Sequence, residues 1–189
     1  VTSLGTVKTT YCVPRSLVAG AEALARKAPG LLVDFKGLRE LSVRQVAATV
    51  APRWPGLRAV RIPFPGREEA AETHAAVLAK ALELEGPLEE LVQRVRPHLQ
   101  DAEVVGFPAV LGVRRTGEIL EQMERRLGLP VFEIPMMPTS VPGLRLKDAL
   151  EQVLSERGVH RMVQAEVRGV TPTEGGGSFE LDVQGSALE

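Results

Sequence analysis

The chain has 189 residues, 44% of them hydrophobic and 25% charged, with a formal net charge of −1 and 4% aromatic residues. Near-neutral charge excludes a polyanion as the expected partner, and so few aromatics leave no stacking platform for single-stranded nucleic acid. No apolar run approaches the ~18 residues of a membrane span, and a lone Cys12 excludes an internal disulfide, which fits a reducing, cytoplasmic setting.

Residues 6–13 are rich in β-branched and aromatic side chains and read as a strand that Pro14 ends. Leu17, Val18, Ala21, Leu24 and Ala25 recur at helical spacing until Pro29-Gly30. Residues 31–35 form a continuous apolar strand with Asp34 near its end. Ser42 followed by Gln45 has capping-box spacing and opens a helix running to about Val50. After Pro52, Pro55 and Gly56, residues 58–64 read as the next strand. Two helices are expected over 67–84, where Ala and Glu dominate, and over 87–99, where Pro87 suits a first helical position.

Residues 103–107 form another short strand. Thr116 is the expected cap of a helix carrying Ile119, Leu120, Met123 and Leu127. Residues 130–136 form a further strand, and the loop to Gly143 opens a helix with Leu146, Leu150, Val153 and Leu154 on one stripe. Gly158 is its expected C′ residue. Residues 159–170 and 179–183 alternate as strands around Gly175-Gly176-Gly177, a hairpin unlike anything before it. The fold class is therefore α/β, a mainly parallel sheet flanked by helices, with a C-terminal antiparallel hairpin.

In such a sheet ligands bind at the carboxyl ends of the strands. The most suggestive of these ends is the loop 136–143. Thr139 and Ser140 place hydroxyls ahead of a helix N-terminus, and Arg145 lies in its first turn, a pattern that suits an anion. The alternative, hydroxyls that satisfy only backbone groups and an arginine in solvent, stays open on the residues alone. Asp34 could orient a ligand hydroxyl or stabilise a turn, and Lys8, Arg114 and Arg115 are scattered cations. His74, His98 and His160 have no ligand spacing, so no metal is expected. Cys12 reads as a half-buried structural thiol. No dinucleotide fingerprint, P-loop, nucleophile elbow or zinc motif occurs. A self-contained anion-binding module or a subunit-interaction domain would suit the same residues.

Read in order, Val1-Thr2-Ser3-Leu4-Gly5-Thr6-Val7-Lys8-Thr9-Thr10, Leu32-Val33-Asp34-Phe35, Val105-Gly106-Phe107-Pro108-Ala109 and Pro138-Thr139-Ser140-Val141-Pro142-Gly143-Leu144-Arg145-Leu146 resemble the central part of the B-subunit family of anaerobic glycerol-3-phosphate dehydrogenase. The resemblance implies a flavin-dependent oxidoreductase: an N-terminal FAD fold, an inserted substrate domain and a C-terminal return. It implies oxidation of glycerol 3-phosphate, with electrons passing through flavin to a quinone, by way of partner subunits at the inner face of the membrane. On it, residues 1–144 are the inserted substrate or cap domain, and 145–185 a helix and hairpin returning toward an FAD domain of the same parent chain. Residues 186–189, where Ala187-Leu188-Glu189 follows a Gly-Ser step, are expected to be an expression-vector scar. The Gly-rich phosphate loop is missing, so the piece is expected to hold no FAD and to be inactive alone. Thr139, Ser140 and Arg145 become the substrate-binding candidates for a small phosphorylated substrate.

Overall fold

Apolar runs without polar alternation make strands buried on both faces. In the computed structural model, which describes residues 1–173 and 175–185, four such runs form one all-parallel sheet. Its strands are β1 (Gly30–Phe35), β2 (Leu57–Ile62), β3 (Val104–Pro108) and β4 (Val131–Ile134), in the order β2-β1-β3-β4. Every residue of β1, β3 and β4 is buried, whereas β2, on the edge, buries only Ile62. The α-helices of the described residues are α1 (Arg15–Arg26), α2 (Val43–Val50), α3 (Ala75–Ala81), α4 (Pro87–Val95), α5 (Thr116–Leu127) and α6 (Val141–Glu156). Right-handed crossovers in this order put α2 on one face of the sheet and the helices of the β2–β3 and β3–β4 connections on the other.

Two glycines set how closely the layers pack. The Phe132 ring lies against Gly20 of α1 and Gly106 of β3, and a Cβ at either position would overlap it. Trp54, just after α2, stacks on the same ring at 6.0 Å, and its indole N–H donates to the Ala28 carbonyl at 2.6 Å. The glycine of the Val105-to-Ala109 block is thus a slot for an aromatic ring rather than a ligand contact. Gly5, with φ of 77°, has the same kind of cause, because a Cβ there would sit 2.6 Å from Thr49 Cβ and 2.8 Å from the Val46 carbonyl of α2.

The chain divides into two compact units, Val1–Leu146 and Lys147–Glu189. The second holds most of α6 and a hairpin of β5 (Glu166–Pro172) and β6 (Phe179–Gln184). Gly158, at φ 67°, ends α6, with its N–H donating to Ser155 and that of Val159 to Leu154, as its C′ role requires. The four residues 186–189, read as a scar, lie outside the described residues.

Several local expectations fail for tertiary reasons. Residues 6–13 make no strand and have no ladder partner; Tyr11 is fully exposed. The expected helix over 67–84 starts only at Ala75, because Thr73 is tied to the segment after β1, bridging Leu38, with its N–H donating to the Gly37 carbonyl at 2.9 Å. The helix over 87–99 ends as α4 at Val95 and continues as a 3-10 turn over Arg96–His98 around Pro97. Ser42 occupies the N-cap position of α2 without a side-chain capping bond. Thr116 is the first residue of α5 rather than its cap, and its hydroxyl donates to the Gly112 carbonyl. The first hairpin strand starts at Glu166, not at Val159. Cys12 is exposed, not half-buried.

Candidate functional site

The strand order reverses between β1 and β3, the place where a doubly wound sheet opens a crevice for a nucleotide. Here that place is filled. Phe35 meets Phe64 edge-on at 5.1 Å and stacks on Phe107 at 6.4 Å, and Ala109, Val110 and Leu111 beyond β3 are all 0% exposed. Asp34 is buried at this end of β1 rather than placed to meet a ligand. Its Oδ2 accepts from Arg61 Nε at 3.0 Å and Nη2 at 2.6 Å, and its Oδ1 accepts from the Phe35 N–H at 2.8 Å. Burial pushes the Asp34 carboxyl above its ordinary range, against the opposing pull of Arg61 and the amides.

The N-terminus of α5 is also taken. Glu83, from the α3–α4 connection, puts one carboxylate oxygen on the successive N–H groups of Val113, Arg114 and Arg115 at 2.8, 2.6 and 2.9 Å. Burial works against the charge, but these amides and the Arg115 guanidinium outweigh it and hold the Glu83 carboxyl below its ordinary range. The three amides form a cradle of the kind that takes a phosphate, already occupied by a side chain of the protein. Arg115 in turn pairs with Glu118 at 2.7 Å.

The edge beyond β4 is built differently. Glu133 lies in the middle of the apolar run of β4, and its side chain is 0% exposed. Arg145, in the first turns of α6, grips it with Nη1 at 2.5 Å from Oε2 and Nη2 at 2.9 Å from Oε1. Nε and Nη2 also donate to the Gly112 carbonyl, at 3.0 and 2.7 Å. Glu133 Oε1 accepts a further bond from the Leu111 N–H at 2.8 Å. The bidentate fork fits the planar guanidinium and not an ammonium group. It ties the start of α6 to the carboxyl ends of β3 and β4, and so fixes the loop between β4 and α6.

That loop carries the two hydroxyls singled out in the sequence. Thr139 is exposed. Ser140 is half-buried, and its Oγ accepts the Gly143 N–H at 3.2 Å, which caps α6. Arg145 lies near them in sequence but is 16% exposed and committed to Glu133 and Gly112. Sequence reasoning missed Glu133, although an acid within Val131-Phe132-Glu133-Ile134 is itself a signal that a buried partner exists. Beside the same strand end, an apolar cavity of about 270 Å³ opens between the N-terminal segment and α1, with Lys8, Thr10, Cys12, Leu17, Phe132 and Pro135 among its lining residues. Lys8 therefore lies in a different place from Arg115, which lines a cleft with Glu83 and Gln122. Among the described residues no cluster of His, Cys, Asp or Glu could hold a metal ion.

The family model described as "FAD binding domain" matches residues 1–183. A relative from Halobacterium salinarum, named as the probable B-subunit of anaerobic glycerol-3-phosphate dehydrogenase, is 37% identical over 183 residues, which is 91% of this chain and 42% of the relative. Proteins named as the B-subunit of the same dehydrogenase match from Pectobacterium atrosepticum, 28% identical over 68% of this chain and 31% of the relative, and from Yersinia enterocolitica, 24% identical over 83% and 38%. The chain thus spans less than half the length of these relatives. The described residues do not fit the pyrophosphate of FAD: the switch-point crevice is packed with Phe35, Phe107 and Leu111, and the amide cradle of α5 holds Glu83. The match nonetheless runs along nearly the whole sequence, and on it the chain belongs to the FAD binding domain family.

Proposed function

We propose that this chain is the substrate-facing part of an FAD-dependent dehydrogenase that oxidises glycerol 3-phosphate to dihydroxyacetone phosphate. The observation that carries the reading is the 37% identity, over 91% of the chain, to a relative named for that activity. The packed switch point and the Glu83-filled cradle support a second element of it: parts of the polypeptide outside these 189 residues hold the flavin phosphates. In this reading residues 1–144 form the substrate domain, and 145–185 lead back toward the flavin fold. The chain alone is inactive. The parent passes its electrons to a quinone through partner subunits at the inner face of the cytoplasmic membrane, in keeping with the naming of the relatives as subunits; among the described residues no helix is long and apolar enough to cross a membrane.

Thr139, Ser140 and Arg145 border the phosphate ester in this proposal. The two hydroxyls make the direct contacts, and Arg145, anchored on Glu133 and the Gly112 carbonyl, holds the loop in place beside the anion. Thr139→Val and Ser140→Gly in the parent protein test it, since glycine keeps most of the capping value of serine while removing its hydroxyl. The expected result is a KM for glycerol 3-phosphate raised several-fold by each. An unchanged KM in both would remove this loop from the substrate site.

A further inference from the structure

A phosphate monoester carries about two negative charges at neutral pH, and calls for a cation as well as hydroxyls. The loop beyond β4 supplies none, because Arg145 is closed into a neutral pair with Glu133 and donates twice more to the Gly112 carbonyl. The cavity of about 270 Å³ beside the same strand end has the make-up of a small-ligand site: apolar walls, Leu17, Ala21, Phe132 and Pro135 among them, and a few polar groups. Most of those polar groups are already engaged. Thr2 Oγ1 accepts the Thr6 N–H at 3.2 Å and pairs with the Thr6 hydroxyl at 2.7 Å. The Thr10 hydroxyl donates to the Cys12 carbonyl at 3.0 Å, and Glu133 is held by Arg145. Lys8 is the one lysine or arginine on the wall; it is exposed and has no side-chain partner among the described residues. The wall therefore carries a single uncompensated positive charge.

The local fold aims that charge. Gly5 packs against α2, and the turn over Thr2–Thr6, closed by the Thr2 N–H on the Thr6 carbonyl at 2.9 Å, fixes where the chain leaves that helix. Lys8, Thr10 and Cys12 are alternate residues and all line the cavity, as one face of an extended segment does. The strand-like composition of residues 6–13 thus builds a cavity wall in place of a ladder. Pro135 lines the cavity and the 136–143 loop follows it directly, so Lys8 and that loop flank the same end of β4.

We infer that Lys8 is the cation that takes the phosphate of glycerol 3-phosphate, at the mouth of this cavity. The inference rests on the function proposed above and deepens it, adding to the hydroxyls of the loop the charge that Arg145 does not give. An ammonium group is a compact point charge with three donors on a flexible stem, and it can follow a phosphate without a fixed fork geometry. The apolar walls beside it lower the local dielectric and strengthen its attraction for the anion.

The test uses the flavin-loaded parent protein carrying Lys8→Gln or Lys8→Arg, with Lys36→Gln, at an exposed lysine just past β1, as control. Lys8→Gln is expected to raise the KM for glycerol 3-phosphate roughly tenfold or more, as loss of a charge-assisted hydrogen bond does, with kcat nearly unchanged. The inhibition constant of inorganic phosphate should rise by the same factor. The melting temperature should stay within about 1 °C, since the side chain is exposed and unpaired. Lys8→Arg should recover most of the affinity, and Lys36→Gln should change neither constant. Added salt should raise the wild-type KM more steeply than that of Lys8→Gln. A Lys8→Gln variant with unchanged KM overturns the proposal, as does a raised KM that inorganic phosphate does not match. If glycerol 3-phosphate reduces the flavin of the wild type while Lys8→Gln leaves KM unchanged, only the role of Lys8 is wrong. A wild-type parent that glycerol 3-phosphate does not reduce removes the reading of the function and this proposal with it.

Discussion

Replacing Arg145 by alanine removes four hydrogen bonds at once, two to the buried Glu133 carboxylate and two to the Gly112 carbonyl. Glu133 would keep only its bond from the Leu111 N–H, at a site where its side chain is 0% exposed. Breaking a buried pair from one side costs about 3–5 kcal/mol, because the remaining charge is left uncompensated. Arg145 is itself 16% exposed, so water can reach the vacated side, and the lower end, about 3 kcal/mol, is the expectation. For a chain of this size that corresponds to a fall of roughly 6–12 °C in melting temperature. Thermal and urea denaturation of Arg145→Ala, Glu133→Leu and the double variant Glu133→Leu/Arg145→Met make the measurement. The double variant should recover at least half of the single-variant loss, because it removes the charge together with its partner. A shift below about 2 °C for Arg145→Ala would refute the reasoning. So would a double variant as unstable as the sum of its parts.

Other outcomes follow from the same geometry. Glu83→Gln weakens the cradle at α5 and should cost about 1–2 kcal/mol at neutral pH. Because the folded carboxyl is held low, its stabilisation is present above the unfolded carboxylate value and is lost as pH falls through the folded one; the variant should lack that part of the acid-induced loss in a pH series of urea melts. Asp34 has the opposite sign. Its raised carboxyl contributes stability below the unfolded value that disappears as pH rises through the folded one, so Asp34→Asn should flatten that limb of the same series. Gly106→Ala would drive a Cβ into the Phe132 ring and should cost about 1–3 kcal/mol by chemical denaturation, with Phe132→Leu in the same chain relieving it.

What could be read from the sequence and what could not divide along the range of the interactions. The β1, β3 and β4 runs, the Ile119–Leu120–Met123–Leu127 stripe of α5 and the triple-glycine hairpin all announce themselves within a dozen residues, and each is present. Residues 6–13 carry strand composition, but composition says nothing about a ladder partner, and none is there. Residues 67–74 are good helix formers overruled by a tertiary tie, the Thr73 N–H to the Gly37 carbonyl with a bridge to Leu38, in the segment after β1 over thirty residues earlier. At the site, the hydroxyls of Thr139 and Ser140 and the charge of Arg145 were visible in sequence, while the destination of that charge was not. Glu133 is twelve residues upstream, on a different element, and Glu83 reaches α5 across about thirty residues. Local pattern singled out the loop as a candidate; only the fold shows that its arginine is anchored.

The most direct measurement of the central claim is anaerobic addition of glycerol 3-phosphate to the flavin-loaded parent protein, followed in the visible spectrum beside the 189-residue chain purified alone. The account predicts that the parent loses its oxidised-flavin absorption on addition of the substrate, and that the isolated chain is colourless. A parent whose flavin stays oxidised with glycerol 3-phosphate, or an isolated chain that retains stoichiometric FAD, would contradict it.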